Sequence, residues 1–173
     1  MSRKPEEFTI LIDQREKRPY SFAGYPVDIQ TCHLKTGDYS LRTETEDFSA
    51  SGLCIERKSA SDLYQSLTHH RERFEREFQR MNQFKYAFLV IESSLSGLLT
   101  PPEGSQANPK SIIQSVISWG IRYDIPVYFA DTRELSECLI YSLCEKFLYN
   151  RKKQDAEIVK EINRMKSEEL RVT

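Results

Sequence analysis

No stretch of this 173-residue chain stays apolar long enough to cross a bilayer. The opening residues, Met1-Ser2-Arg3-Lys4-Pro5-Glu6-Glu7, lack the apolar core of a signal peptide. A protein that remains inside the cell is expected. The four cysteines, Cys32, Cys54, Cys138 and Cys144, have neither C-x-x-C spacing nor a histidine pattern around them, which argues against zinc and for reduced, mostly buried thiols. Of the three histidines, His69 and His70 have no metal-ligand spacing with any third group and read as surface residues. Excess charge is missing too: a net charge of −1 excludes nucleic-acid binding through bulk charge, so any such contact must use a local patch. There is no internal repeat or low-complexity tract, and the length suits one domain rather than two with linkers.

What is present centres on residues 37–62. Side chains alternate across a strand, so Leu53-Cys54-Ile55-Glu56-Arg57-Lys58 places Glu56 and Lys58 on one face and Ile55 and Arg57 on the other. If Tyr39-Ser40-Leu41-Arg42 is the neighbouring strand of a hairpin, pairing at about 4.8 Å brings Asp38 close to Glu56. Two carboxylates and an ammonium then converge, the residue types needed to hold a hard dication beside a phosphodiester and to orient water. In isolation, however, charges alternate along many half-solvated strands.

The rest of the chain reads as alternating strands and helices. Phe8 to Asp13 is an apolar, β-branched strand ending in an acid, and Val27 to Leu34 a second strand. Residues 42–52 are polar and read as an exposed hairpin connection with solvated acids. Ser59 opens a helix with Leu63, Tyr64 and Leu67 facing inward, and Phe74, Phe78 and Met81 stripe a second helix. Tyr86 to Ile91 is a central strand ended by Glu92, which is either structural or beside the site. Residues 100–109 form an irregular connection that could border a substrate groove. Helical spacing in the third helix picks out Ile112, Ile113, Val116, Ile117 and Ile121, with Trp119 and Tyr123 on another side. Trp119 is a packing residue or a platform for a base. After a strand from Ile125 to Ala130, a last helix carries Leu135, Cys138, Leu139, Leu143, Phe147 and Leu148, then Ile158, Ile162 and Met165 in a polar tail.

The fuller pattern is Ile12-Asp13-Gln14-Arg15-Glu16, then Gly37-Asp38-Tyr39, then Glu56-Arg57-Lys58 with Asp62 following. It resembles the nuclease domain of the XPF family of structure-specific endonucleases. Leu89-Val90-Ile91-Glu92 and Ile125-Pro126-Val127-Tyr128-Phe129 resemble later core strands of that family, and the resemblance extends over residues 8 to 148. It implies an α/β fold, a restriction-endonuclease-like core with a central mixed sheet flanked by helices. The nuclease domain would span residues 1–150, with a C-terminal helical appendage over 151–173. The implied activity is Mg²⁺- or Mn²⁺-dependent hydrolysis of branched or single-strand/duplex junction DNA, leaving 5′-phosphate and 3′-hydroxyl ends, in repair or recombination. Phage and prophage members without a second domain are the most similar in style, which suggests the cytoplasm of a bacterial or phage-infected cell.

By the same resemblance, Asp38, Glu56 and the Arg57 carbonyl hold the metal. Lys58 orients or helps deprotonate water, and Asp13, Arg57 and Asp62 support the constellation. Arg15, Arg71 and Arg73 are candidate DNA contacts, Arg71 standing beside His70 where the family commonly shows Gly-Arg. Plainer readings remain for several of these residues: Asp13 starts a turn, Asp62 caps a helix with Ser59, and the arginines of the second helix belong to a solvated face of mixed sign. All six glycines lie at or before Gly120, so the tandem helix-hairpin-helix module common in the family is not expected. A homodimer or a larger DNA-processing partner, docked through the last helix, is expected to make up the affinity. The alternative is a DNA-binding or partner-docking module that keeps the fold without cleaving.

Overall fold

The computed structural model describes residues 7–169, with side chains to residue 165. Its elements follow the expected order: β1 (Thr9–Asp13), β2 (Asp28–Cys32), β3 (Tyr39–Arg42), β4 (Leu53–Ser59), α1 (Ala60–Thr68), α2 (Arg71–Met81), β5 (Tyr86–Glu92), α3 (Pro109–Arg122), β6 (Val127–Phe129) and α4 (Arg133–Glu169). A single 3-10 turn at Gly97–Leu99 precedes α3. The strands form one six-stranded mixed sheet in the order β2-β1-β3-β4-β5-β6. β3 is antiparallel to both β1 and β4, while β1–β2, β4–β5 and β5–β6 are parallel.

Side-chain alternation divides the core between the two faces of this sheet. Ile10, Ile12, Tyr39, Leu41, Leu53, Ile55 and Val90 pack with Tyr20, Phe22 and the α4 residues Ile140, Cys144 and Phe147. On the other face Cys54, Ala87, Leu89 and Ile91 pack with α1, α2 and α3. Phe74, Phe78 and Trp119 interlock edge to face there, with ring centroids 5.2 to 5.7 Å apart. Such pairs add about 1 kcal/mol each beyond area burial. Trp119 is therefore a core residue, with no face free for a base.

Three packing expectations change. In α3 the buried residues are Ile112, Val116 and Trp119, at i, i+4 and i+7, whereas Ile117 and Ile121 are 49% and 78% exposed. A stripe through 113, 117 and 121 steps by four and drifts around a 3.6-residue helix, and the buried line follows the true period. In α4 the buried line is Ser136, Ile140, Tyr141, Cys144, Phe147 and Leu148. Leu135 and Cys138 are exposed, and Leu139 and Leu143 pack only partly. The connection over residues 43–52 is not wholly solvated: Phe48 is buried against Phe147 and accepts the Gly52 and Leu53 N–H groups at its carbonyl, closing the hairpin on a hydrophobic anchor.

The boundary expected between residues 150 and 151 falls inside α4, which runs unbroken to Glu169. Its buried line stops at Leu148, and the side chains from Lys152 to Met165 are exposed. No helix among the described residues is long and apolar enough to cross a membrane.

Candidate active site

The hairpin is what joins the acids. Gly37 adopts φ +78°, and a Cβ there would stand 2.6 Å from Cys54 Sγ and 3.1 Å from the Ile55 carbonyl oxygen. Only glycine permits that approach. It lets the next residue, Asp38, donate its N–H to the Ile55 carbonyl at 2.9 Å and accept the Arg57 N–H on Oδ2 at 2.9 Å. Ile55 and Arg57 thus present their main-chain groups to the β3 edge, so the Arg57 carbonyl faces the same side, beyond Tyr39 where β3 begins.

On the α1/α2 face Glu56 is 2% exposed and accepts a hydrogen bond from Lys58 Nζ. Lys58 Nζ also lies 3.7 Å from Glu77 Oε2 and 5.1 Å from the Phe74 ring centroid. Glu77, on α2, was not among the residues singled out in the sequence. The legible signal was a carboxylate at the 77 position of the inward stripe Phe74, Phe78 and Met81.

Burial sets the electrostatics of these groups. Burial pushes Asp38 up to about 6, with Glu16 and Glu77 adding to the rise and Lys58 and the Arg57 N–H opposing it. Burial and the neighbouring Asp38 raise Glu56 well above the carboxylate range. Burial disfavours the Lys58 ammonium, but Glu56 and Glu77 more than offset this, leaving its pKa above that of a free lysine. Lys58 is charged.

Arg57 points through the sheet to the α4 face. Its guanidinium is forked onto Glu16 (3.1 and 3.0 Å) and bonded to Glu92 Oε2 at 2.7 Å, with all three side chains at most 8% exposed. Glu92 also accepts from Tyr20 Oη at 3.0 Å and Arg133 at 3.2 Å. Burial would raise Glu16, yet the Arg57 fork holds it below its usual value. This ties β1, β4, β5 and α4 to the main chain of Arg57.

The other expected residues divide. Asp13 donates its N–H to the Asp38 carbonyl at 2.8 Å, so it braces the Asp38 loop through the backbone. Its buried carboxylate is committed elsewhere, accepting from Arg15 and the Leu34 N–H. Those bonds outweigh burial and keep its pKa low. The Arg15 guanidinium is correspondingly tied to Asp13 and the Leu34 carbonyl. Ser59 caps α1, accepting the Asp62 N–H on Oγ, and the Asp62 carboxylate in the first turn accepts the Ser59 hydroxyl at 2.8 Å.

A cleft of about 410 Å³ opens over this constellation, lined by Asp38, Lys58 and Glu77 at its floor and by Arg15, Lys17, Arg18, Asp62 and Arg73 around it. Arg71 is not part of its lining; it bonds Ser115 Oγ at 3.0 Å and stacks on Trp119. Residues 102–107 instead border a neighbouring cavity against α1, and Gln65 lines both.

These features match a known domain. Residues 12–143 match the family model described as the ERCC4 domain. The chain belongs to the ERCC4 domain family. Its fold is similar to that of XPF from Aeropyrum pernix, with a TM-score of 0.63 at 20% identity, covering 86% of this chain and 68% of that one. A second structure, XPF from Aeropyrum pernix in complex with DNA, matches with a TM-score of 0.60 at 20% identity, covering 79% and 62% of the two chains. No curated protein matches the sequence. The ERCC4-domain chain thus has the restriction-endonuclease-like α/β fold, a mixed sheet flanked by helices.

The donor set of this ERCC4 domain fits a hard dication. Asp38 Oδ1 and Glu56 Oε2 carry no hydrogen bond among the described residues, and both acids are raised by burial that a cation would relieve. No cage of three or more His, Cys, Asp or Glu side chains occurs among the described residues. The fit is therefore to an open site of two carboxylates and a main-chain carbonyl, completed by water and substrate, as Mg²⁺ prefers.

Proposed function

We propose that this chain is a Mg²⁺- or Mn²⁺-dependent DNA endonuclease acting on branched or single-strand/duplex junction DNA, with 5′-phosphate and 3′-hydroxyl products. The observation that carries this is a cleft lined by Asp38, Lys58, Lys17, Arg18 and Arg73, with the buried Glu56 carboxylate bonded to Lys58 just beneath it. That the similar Aeropyrum XPF was solved in complex with DNA supports DNA as the ligand.

Asp38, Glu56 and the Arg57 carbonyl would hold the cation, which supplies neutralisation of the phosphate and a lowered pKa for the attacking water. Lys58, held charged by its two carboxylates, contributes charge and orientation at the developing phosphorane oxygens rather than a base. Arg57 fixes the main chain that carries both its own carbonyl and the N–H that aims Asp38. Asp13 steadies the Asp38 loop, and Asp62 sets the start of α1 at the cleft edge.

With a net charge of −1, one domain neutralises few phosphates, so affinity would rely on a second copy or a larger DNA-processing partner. The exposed Leu135, Ile158, Ile162 and Met165 of α4 offer such a surface, which light scattering over a concentration series tests. Work on junctions in repair or recombination, in the cytoplasm, completes the reading. Incubation with labelled flap, fork, duplex and single-stranded DNA, with and without Mg²⁺ or Mn²⁺, tests the activity; cation-dependent nicking near the junction is expected.

A further inference from the structure

Lys58 poses a problem that the cation reading does not itself solve. Its ammonium is bonded to Glu56, one of the two carboxylates required by a dication, and its side chain is only 16% exposed, with the Phe74 ring beneath it. A dication on Glu56 Oε2 draws on the same carboxylate charge and weakens the Oε1 bond to Lys58. A buried ammonium that loses its partner without replacement is costly, because water cannot fully take the partner's place. A second carboxylate is already in place: Glu77 Oε2 lies 3.7 Å from Lys58 Nζ, a separation closed by a small side-chain rotation. The carboxylate is also rigidly carried. Its neighbours on α2, Phe74, Phe78 and Met81, are fully packed in the core, so the Glu77 backbone cannot withdraw.

We infer that Glu77 is a positioning residue acting through Lys58: it receives the ammonium when Glu56 turns to the dication, so the lysine stays charged and in place beside the phosphate. This rests on the reading of Asp38 and Glu56 as cation ligands. Glu77 then favours cation binding indirectly, without ligating.

The test is Mn²⁺ binding by the full chain, measured by titration calorimetry in a double-mutant cycle of Glu77→Gln and Lys58→Met, with Asp38→Asn alongside and thermal unfolding confirming that each variant is folded. Glu77→Gln should weaken Mn²⁺ binding about tenfold when Lys58 is present and by less than about twofold in the Lys58→Met background, since coupled neighbours are non-additive. An equal loss in both backgrounds would mean that Glu77 acts on the cation directly, and no loss in either would mean that it does not act; both overturn the inference. Should Glu77→Gln fail to fold, Glu77→Ala takes its place in the same cycle. Asp38→Asn must abolish the binding; if it does not, the cation reading itself has failed and the Glu77 role falls with it, an outcome distinct from absent coupling.

Discussion

The main-chain N–H of Arg57 donates to the Asp38 carboxylate at 2.9 Å, so the strand that carries Glu56 and Lys58 also aims the acid on its neighbour. This bond sets one carboxylate oxygen and leaves the other toward the cleft. The remaining interactions of the site serve to hold that strand still or to balance its charge.

The Asp38 shift has a definite sign. Its folded-state pKa, about 6, exceeds its ordinary 3.8, so Asp38 favours the fold when protonated. That contribution is fully present below about pH 3.8 and is lost as pH rises through about 6. Without a cation, Asp38→Asn should therefore stabilise the protein at pH 7 by up to about 3 kcal/mol, at 1.36 kcal/mol per pKa unit, with the gain vanishing near pH 3.5. Urea denaturation at the two pH values measures it. The Asp38→Asn protein should not cleave DNA, and wild-type cleavage at subsaturating Mg²⁺ should fall with falling pH, as protons compete with the cation for Asp38.

Lys58→Ala should lower the single-turnover rate by orders of magnitude while DNA affinity falls only modestly, because the ammonium acts where charge develops during attack. Quench-flow rates at saturating Mg²⁺, compared with filter binding, separate the two. An unchanged rate would make Lys58 a structural partner of Glu56 alone.

Arg57→Met should destabilise the fold by about 3–5 kcal/mol, since it takes the guanidinium from the buried Glu16 carboxylate and leaves Glu92 to Arg133 and Tyr20. Equilibrium denaturation reads this directly. A change under about 1 kcal/mol would mean that the charges rehydrate and that the network does not brace β4.

Arg71 and Arg73 lie two residues apart on α2 and face different surroundings. Arg73→Ala should reduce the salt dependence of DNA binding by about one counterion, whereas Arg71→Ala should leave the slope unchanged and cost only its contact with Trp119. Binding isotherms across a salt series distinguish them.

How far the sequence exposed this arrangement follows from the range of each interaction. Alternation along residues 53–58 and the glycine turn at 37 are local, and both the Glu56/Lys58 face and the approach of Asp38 were legible from them. Element order was legible for the same reason. Stripe phase was not, because in α3 and α4 several apolar residues compete and only the neighbouring surface selects Trp119 over Ile121 or Ile140 over Leu135. Glu77 and the chain Glu16–Arg57–Glu92–Arg133 join residues far apart in sequence, and no local pattern marks those pairings. Arg71 lies outside the cleft lining because residues two apart on a helix point about 200° apart, and the turn of α2 toward α3 sends it to Ser115.

The central claim is tested most directly by single-turnover cleavage of a labelled fork, comparing wild type with Glu56→Gln at saturating Mg²⁺ and in EDTA. Cation-dependent nicking by the wild type and none by Glu56→Gln, with both proteins folded and binding the fork alike, is the predicted result. Equal cleavage by the two proteins, or wild-type cleavage that persists in EDTA, would contradict it.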